Sequence, residues 1–161
     1  MCNLEHSFRF AERKDTKLVL DFIKAIASYE EMPNAVKYTS ESLEDWLFNR
    51  KKGEAIFVME DDKEVGFCLF YETLPGYIGS GGLYVEDIFV YPEHRGRGYG
   101  KALLKKMAEI ALERDCGRLE WLCLKWNVNS INFYKNMGAT EMDSCVSFRV
   151  EDKALKNMLD K

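Results

Sequence analysis

Apolar positions along this chain recur with two different periods, and each period predicts one kind of element. Residues 7–10 alternate between apolar and polar, as a short strand does, whereas residues 18–26 carry apolar side chains at helical spacing after Asp15 or Thr16, either of which can cap a helix. Two apolar runs, 55–59 and 65–71, flank a polar turn and therefore predict a β-hairpin. A short helix is expected to begin at Thr39 or Ser40, ahead of this hairpin.

The second half of the chain continues with strands and helices in alternation. A long strand is predicted over 83–90, followed by a glycine-rich stretch and an amphipathic helix that begins near Ala102 and is closed by Cys116-Gly117. The remaining predictions are a strand over 119–124, a short helix that Asn129 or Ser130 caps and Gly138 ends, a last strand over 144–150 and a terminal helix over 152–159. This order predicts an α/β (α+β) fold, with an antiparallel front and a strand–helix–strand unit behind.

Size and charge narrow the classes of function. The 161 residues, without repeats or a long linker, predict a single domain over 1–161. A net charge of −4 argues against nonspecific nucleic-acid binding and weakly favours a cationic small molecule. No apolar run approaches the ~18 residues of a membrane span, and the first residues show no secretory signal pattern.

Cysteine and histidine usage indicates neither disulfides nor a metal. The five cysteines are odd in number and none are spaced as C-x-x-C, so we expect reduced thiols and a cytoplasmic location. Cys68 and Cys123 lie in strand-like runs and are predicted to be small buried hydrophobes, while Cys145 has a weaker chance of facing a site. His6 and His94 are too few to suggest metal ligands.

The stretch between the long strand and the following helix is the most informative part of the sequence. It reads Arg95-Gly96-Arg97-Gly98-Tyr99-Gly100-Lys101. Unpaired amides at a helix N-terminus, glycines that let a ligand approach the backbone, and basic side chains together make a phosphate site. A P-loop is excluded because Ala102 stands where its hydroxyl residue belongs, and no register satisfies the dinucleotide fingerprint. The alternative is a glycine-rich turn with incidental charges.

Two motifs carry a resemblance to a known family. Arg-Gly-x-Gly-x-Gly, within YVEDIFVYPEHRGRGYGKALL, resembles the pyrophosphate loop of the GNAT acetyltransferases, and WNVNSINFYKNMGA resembles their second signature. SYEEM, EDIFV and SINFYK are more narrowly similar to the spermidine/spermine branch, which includes thialysine and diamine acetyltransferases. The resemblance, over about residues 8–150, implies the GNAT fold, a central mixed, mostly antiparallel sheet flanked by helices.

The resemblance also implies how acetyl-CoA, the expected cosubstrate, is held, with no metal involved. Main-chain groups of β-strand residues would pair with its pantetheine arm, and the glycine stretch would bind its pyrophosphate. Asn127 and Ser130 match positions that contact CoA, although either residue could simply cap a helix. The implied cofactor-binding residues are Ile88, Phe89, Val90, Arg95, Gly96, Arg97, Gly98, Tyr99, Gly100, Lys101, Asn127, Ser130 and Tyr134.

Two residues are candidates for catalysis of acyl transfer to an amine. Tyr134 is the candidate general acid, because a phenol stays protonated at neutral pH and can protonate the departing thiolate; it could instead be a packed aromatic. Glu86 is the candidate base or an ammonium anchor, against the alternative of an exposed strand glutamate. Asp87 is expected to point to the opposite face and to be structural, because side chains alternate along a strand.

The acceptor is less well defined than the cofactor. Tyr29 and Glu30 match positions that contact polyamine in the branch, but a solvated acidic helix end is the alternative. Val146 stands where the branch carries an acidic residue, which leaves a diamine, a lysine analogue or another small amine open.

The expected reaction is direct attack of a primary amine on acetyl-CoA in a ternary complex, with a cysteine relay as the alternative mechanism. Protein or peptide N-acetylation and a non-catalytic acyl-CoA-binding module are the alternative functions, and a homodimer is implied by resemblance alone.

Overall fold

The computed structural model describes residues 6–160. Within them the chain forms two compact units, with the sequence boundary between Leu122 and Cys123, and each unit is described here by itself. The first unit contains strands β1 to β5 and helices α1 to α3. Their bounds are β1 Ser7–Phe10, α1 Thr16–Tyr29, α2 Ser40–Glu44, β2 Glu54–Glu60, β3 Lys63–Thr73, β4 Gly81–Val90, α3 Tyr99–Glu113 and β5 Cys116–Glu120.

The five strands of the first unit form one sheet in the order β1-β2-β3-β4-β5. Neighbouring strands run antiparallel except for β4 and β5, which are parallel because α3 provides the crossover between them. This confirms the predicted mixed, mostly antiparallel sheet with helices on its faces. The expected hairpin is β2–β3, and its turn is made by Asp61 and Asp62, both at positive φ.

Each face of the sheet packs against a different helical layer. On one face, Leu103 and Met107 of α3 pack with the buried strand residues Phe70 and Val85. On the other face, Phe22 of α1 stacks on Phe67 with ring centroids 4.8 Å apart. The sheet is therefore buried on both sides, and residues of β4 can be assigned to a face by the layer that they contact.

A β-bulge in the middle of β4 changes which face its residues occupy. Leu69 pairs with Asp87 but its neighbour Phe70 pairs with Val85, so Glu86 is an extra residue without a partner on β3. Val85 and Ile88 both contact the α3 layer although they are three residues apart. Strict alternation therefore fails between Val85 and Ile88. The two residues between them, Glu86 and Asp87, both lie on the α1 face.

The helix α3 and the strand β5 have different bounds from the sequence prediction. The helix ends at Glu113, and Asp115 at φ 54° takes the left-handed position expected of Gly117. An aspartate tolerates that conformation better than most side chains. Because the helix ends earlier, β5 begins at Cys116, and the predicted strand over 119–124 continues only to Glu120.

The second unit, residues 123–160, contains α4 Val128–Asn136 and α5 Asp152–Asn157, followed by a short turn of 3-10 helix at Met158–Asp160. Gly138 at φ 92° ends α4 as predicted. The strand predicted over 144–150 is absent from the described structure, where Val146 and Phe148 are largely exposed. Alternating residues become a strand only when a neighbouring strand satisfies their backbone groups.

The cysteines of the described residues are free thiols. Cys68 is fully buried, as predicted, whereas Cys123 is half-exposed and outside any strand, which corrects the expectation for it. Cys2 lies outside the described residues. Among residues 6–160, no helix has both the length and the apolar character needed to cross a lipid bilayer.

Candidate active site

The glycine stretch adopts a backbone conformation that requires glycine. Gly96 and Gly98 have φ values of 74° and 88°, in the left-handed region that side chains disfavour. α3 begins directly afterwards, and its opening hydrogen bond runs from the Ala102 N–H to the Gly98 carbonyl at 2.9 Å. The amides of Tyr99, Gly100 and Lys101 precede that bond at the positive end of the helix dipole. The left-handed glycines at a helix start agree with the sequence pattern, and anion binding by this loop stays a prediction.

The basic side chains of this loop contact other protein groups. Arg97 forms an ion pair with Glu60, at the end of β2, and the Tyr99 hydroxyl donates to the same carboxylate at 2.7 Å. Lys101 is exposed. The Tyr99 side chain itself is buried in the α3 layer, so its contribution to an anion site would come from its backbone. Phosphate binding by Arg95, Arg97 and Lys101 stays a prediction.

Arg95 joins the loop to the C-terminal end of α1. Its Nε donates to the Val90 carbonyl at 2.9 Å, and its guanidinium carbon lies 4.7 Å from the Tyr29 ring centroid and 5.3 Å from that of Phe89. The Tyr29 and Phe89 rings are themselves 6.3 Å apart, edge to face. These cation–π contacts bring the predicted acceptor residue Tyr29 next to the strand that leads into the loop.

The main chain of β4 extends past its parallel neighbour. β5 ends at Glu120, which pairs with Tyr84, while β4 continues to Val90. The β5-side edge of Ile88, Phe89 and Val90 is therefore beyond the end of β5 in the described sheet. An extended ligand could add to this edge as a short strand.

The bulge brings two carboxylates together on the α1 face of β4. Glu86 is exposed, and the Tyr71 hydroxyl approaches its Oε2 at 3.4 Å. Tyr71 stacks on Tyr84 with centroids 5.3 Å apart. The prediction that Asp87 lies on the face opposite to Glu86 is wrong, because it assumed an unbroken period of two.

Asp87 is the most perturbed carboxyl group of this site. Burial, foremost, together with repulsion from Glu86 and then Glu30, raises its pKa to about 7. Burial also raises the pKa of Glu30, which follows α1. We call Glu30, Glu86 and Asp87 the acidic cluster. A cation bound beside Asp87 would stabilise the charged form of this carboxyl group and so lower its pKa.

The residues of the second signature lie on α4, in the second unit. The Asn127 Oδ1 accepts from the Ser130 N–H at 3.3 Å, so Asn127 is the N-cap, instead of Asn129 or Ser130. Tyr134 lies one turn after Ser130; it is half-buried, with its ring 5.4 Å from that of Phe133. The cap explains the local role of Asn127 and leaves a role for Ser130 or Tyr134 toward CoA as a prediction.

No metal centre is evident in the described part of the chain, where no three His, Cys, Asp or Glu side chains are grouped to hold an ion. The first unit contains a left-handed glycine loop at a helix start, a strand edge that extends past β5 and an acidic cluster, all on or next to β4. That combination suits a ligand with phosphates at one end and a cationic group near the bulge.

Comparison with known proteins agrees with this arrangement. The model of the acetyltransferase (GNAT) family matches residues 20–139. The chain belongs to this family. It is 32% identical to thialysine N-epsilon-acetyltransferase of Sus scrofa over 95% of the chain and 96% of that protein. It is also 43% identical to an L-ornithine N5-acetyltransferase of Arabidopsis thaliana, over 50% of the chain and 36% of that protein.

A solved structure shows the same fold. The integron cassette protein from the mobile metagenome of V. cholerae superposes with a TM-score of 0.80 at 26% identity, covering 99% of this chain and all of that one. The resemblance inferred from the two motifs is thus confirmed, and so is the assignment of this GNAT protein as an acyltransferase enzyme.

Two residues of the site were missed from the sequence. Strand alternation assigns Asp87 a structural role, and the acidic pair Glu86-Asp87 lies where the bulge interrupts that alternation. The sequence pattern places Glu60 next to the polar turn of the hairpin, and nothing in the sequence connects it to a loop more than 30 residues away.

Proposed function

We propose that this GNAT enzyme transfers the acetyl group of acetyl-CoA to a primary amine of a small cationic molecule, of the diamine, ornithine or thialysine type. The observation that carries the proposal is that β4 bears the carboxylates of Glu86 and Asp87 and then leads directly into the left-handed glycine loop. One strand therefore connects a site for a cation to a site for a diphosphate.

Acetyl-CoA would be held mainly by the backbone. Amides from Gly96 to Lys101 face the diphosphate at the positive end of α3, and the edge of Ile88 to Val90 pairs with the pantetheine arm. Arg97 and Lys101 supply charge, since an arginine grips phosphate with two parallel hydrogen bonds. GNAT acetyltransferases in general use acetyl-CoA, which supports this choice of acyl donor.

In the proposed reaction, the neutral amine nitrogen attacks the thioester carbonyl carbon in a ternary complex. The carbon–nitrogen bond forms, the carbon–sulfur bond breaks, and the amine loses one proton while the CoA sulfur gains one. Glu86, exposed beside the bulge, would accept the amine proton directly or through water, and Tyr134 would protonate the sulfur. Positioning both substrates supplies most of the remaining acceleration.

The acidic cluster favours an acceptor that carries positive charge. An ammonium beside Asp87 offsets the repulsion from Glu86 and Glu30, so its binding would release the proton that Asp87 holds near neutral pH. The names of the relatives support the same class: thialysine and L-ornithine are both amino acids with a side-chain amine. Tyr29, in contact with Arg95, would line the same site.

The family model covers residues 20–139 and so continues from the first unit into the second, which supports our proposal that residues 1–161 act as one catalytic domain. A homodimer and a cytoplasmic location stay predictions.

The decisive experiment is a thiol-release assay with purified protein and acetyl-CoA across an amine panel. Thialysine, ornithine, lysine, putrescine, spermidine and a lysine-containing peptide should be compared. Release of free CoA with a small cationic amine, and acetylated product by mass spectrometry, is the expected result. Turnover of the peptide alone would favour protein acetylation, and CoA binding without turnover would indicate a non-catalytic module. Loss of activity in Cys123→Ser or Cys145→Ser, with folding intact, would favour a cysteine relay.

A further inference from the structure

A carboxylate outside the glycine stretch gathers three side chains of that stretch. Glu60 is the last residue of β2, and its side chain is 19% exposed. Its Oε1 accepts from the Tyr99 hydroxyl at 2.7 Å, and its Oε2 lies 2.7 Å from His94 Nδ1 and 3.1 Å from Arg97 Nη1. A second contact joins Arg97 Nη2 to Oε1. Both oxygens of this carboxylate are therefore occupied by loop donors.

The three partners of Glu60 flank both left-handed glycines. His94 precedes Gly96, Arg97 stands between Gly96 and Gly98, and Tyr99 is the first residue of α3. The Glu60 carboxylate thus holds the chain before Gly96, between Gly96 and Gly98, and after Gly98. Because Tyr99 is also buried in the α3 layer, Glu60 ties the loop to a rigid part of the core.

The glycines have little packing of their own to hold them. A Cβ atom placed on Gly96 would meet nothing within 4 Å, and one on Gly98 would meet only the His6 ring, at 3.8 Å. Glycine also loses more conformational freedom on ordering than any other residue. The loop conformation is therefore held by main-chain hydrogen bonds and by the side chains that flank the glycines, and three of those side chains converge on Glu60.

We propose that Glu60 is a positioning residue for acetyl-CoA, which holds the glycine loop in its diphosphate-binding conformation before the ligand arrives. This proposal rests on the proposed function of the loop. Preorganisation of this kind improves affinity because the ordering cost is met during folding instead of binding. The Tyr99 hydrogen bond, foremost, and the charges of Arg97 and His94 lower the pKa of Glu60, so the carboxylate stays charged at neutral pH.

The opposite role is that Glu60 competes with phosphate for Arg97. Positioning is favoured by the geometry, because the contacts of Tyr99 and His94 with Glu60 hold the loop without occupying an arginine that could bind phosphate. The Arg97 side chain is also 52% exposed, so it can reach a ligand while Glu60 keeps its other partners. The two roles predict opposite changes in affinity.

The test is Glu60→Gln, which keeps the shape of the side chain and removes its charge. Calorimetric titration with coenzyme A should show a dissociation constant raised about tenfold or more, and steady-state kinetics should show a raised KM for acetyl-CoA with kcat within about twofold of wild type. Hydrogen exchange of the amides at 94–101 should become faster in the free variant. Tyr99→Phe, which loses one of the bonds, should show a smaller change in the same direction.

Two matched variants control for general effects. Glu54→Gln, at the other end of β2, removes the ion pair with Arg114 at 2.5 Å and so tests lost stability alone. Asp62→Asn removes a negative charge from the adjacent turn, and both variants should bind coenzyme A like wild type. A similar loss of affinity in either control would overturn the proposal.

The remaining outcomes are also decisive. Unchanged affinity of E60Q, or tighter binding as competition for Arg97 requires, refutes positioning. If E60Q does not fold, Tyr99→Phe carries the same test, because it deletes a single hydroxyl. If the wild-type protein binds no coenzyme A, the proposed function itself is refuted. If the wild-type protein binds coenzyme A and is active, and E60Q has the same affinity, only the role of Glu60 is refuted.

Discussion

Half-buried Asp87 should make a contribution to the stability of this protein that falls as pH rises, and Asp87→Asn should remove that contribution. The folded protein holds a proton on Asp87 up to a pKa of about 7, against an ordinary value of 3.8. Between those values the folded state binds more protons than the unfolded state, so the free energy of unfolding decreases with increasing pH. At 1.36 kcal/mol per pKa unit, the full penalty above pH 7 is about 4 kcal/mol.

Asparagine resembles the protonated carboxyl group in shape and carries no charge at any pH. We expect Asp87→Asn to stabilise the protein at pH 8 by about 2–4 kcal/mol. At pH 4.5 the folded wild type keeps its proton and only the unfolded state has begun to lose one, so the expected gain there is no more than about 1 kcal/mol. For a domain of this size the gain at pH 8 corresponds to a rise in Tm of roughly 5–15 °C. Acetyl transfer to a cationic amine should fall in the same variant.

Urea unfolding of wild type and variant at pH 4.5 and pH 8 measures this difference, with equal m values as the check that only stability has changed. Other carboxyl groups titrate in both proteins, so the free energies of unfolding of wild type and variant should be subtracted at each pH. The two differences are then compared. Glu86→Gln, at the exposed neighbour, is the matched control and should show a much smaller gain. A benefit of Asp87→Asn that is equal at both pH values, or absent at pH 8, would refute the argument from burial.

The other predictions concern single steps of binding and catalysis. Tyr134→Phe should lower kcat by about 10²-fold or more, as loss of a general acid does, while calorimetry shows acetyl-CoA affinity within about twofold of wild type; a variant with normal kcat would remove the acid role. Gly98→Ala should cost about 1–2 kcal/mol in thermal unfolding because φ is 88°, and should weaken CoA binding, whereas Gly76→Ala, with open space around it, should do neither. Glu30→Gln should raise the KM for the amine and leave that for acetyl-CoA unchanged, and the exposed Glu31→Gln serves as its control; equal effects of both would contradict a specific role for Glu30.

Local patterns in the sequence were sufficient wherever the structure depends on near neighbours. The helical spacing of 18–26, the hairpin around Asp61-Asp62 and the glycine stretch each report a backbone conformation set within a few residues. The order of these elements, together with two motifs, was enough to identify the GNAT fold. The prediction of a strand over 144–150 was wrong because a strand does not depend on near neighbours alone. It needs a partner strand, which its own residues do not specify.

Tertiary structure decided the features that depend on residues distant in sequence. The bulge at Glu86 exists only in the register between β4 and β3, so the shared face of Glu86 and Asp87 could not follow from alternation. The raised pKa of Asp87 requires burial against other elements, and the convergence of His94, Arg97 and Tyr99 on Glu60 requires the β2–β3 hairpin to lie beside the loop. The sequence by itself determined which chemical groups this protein carries and the conformation of its short segments. Packing determined which groups are neighbours and how deeply they are buried. Pairing and pKa shifts were decided by the tertiary structure, because electrostatic energies depend on neighbours and burial.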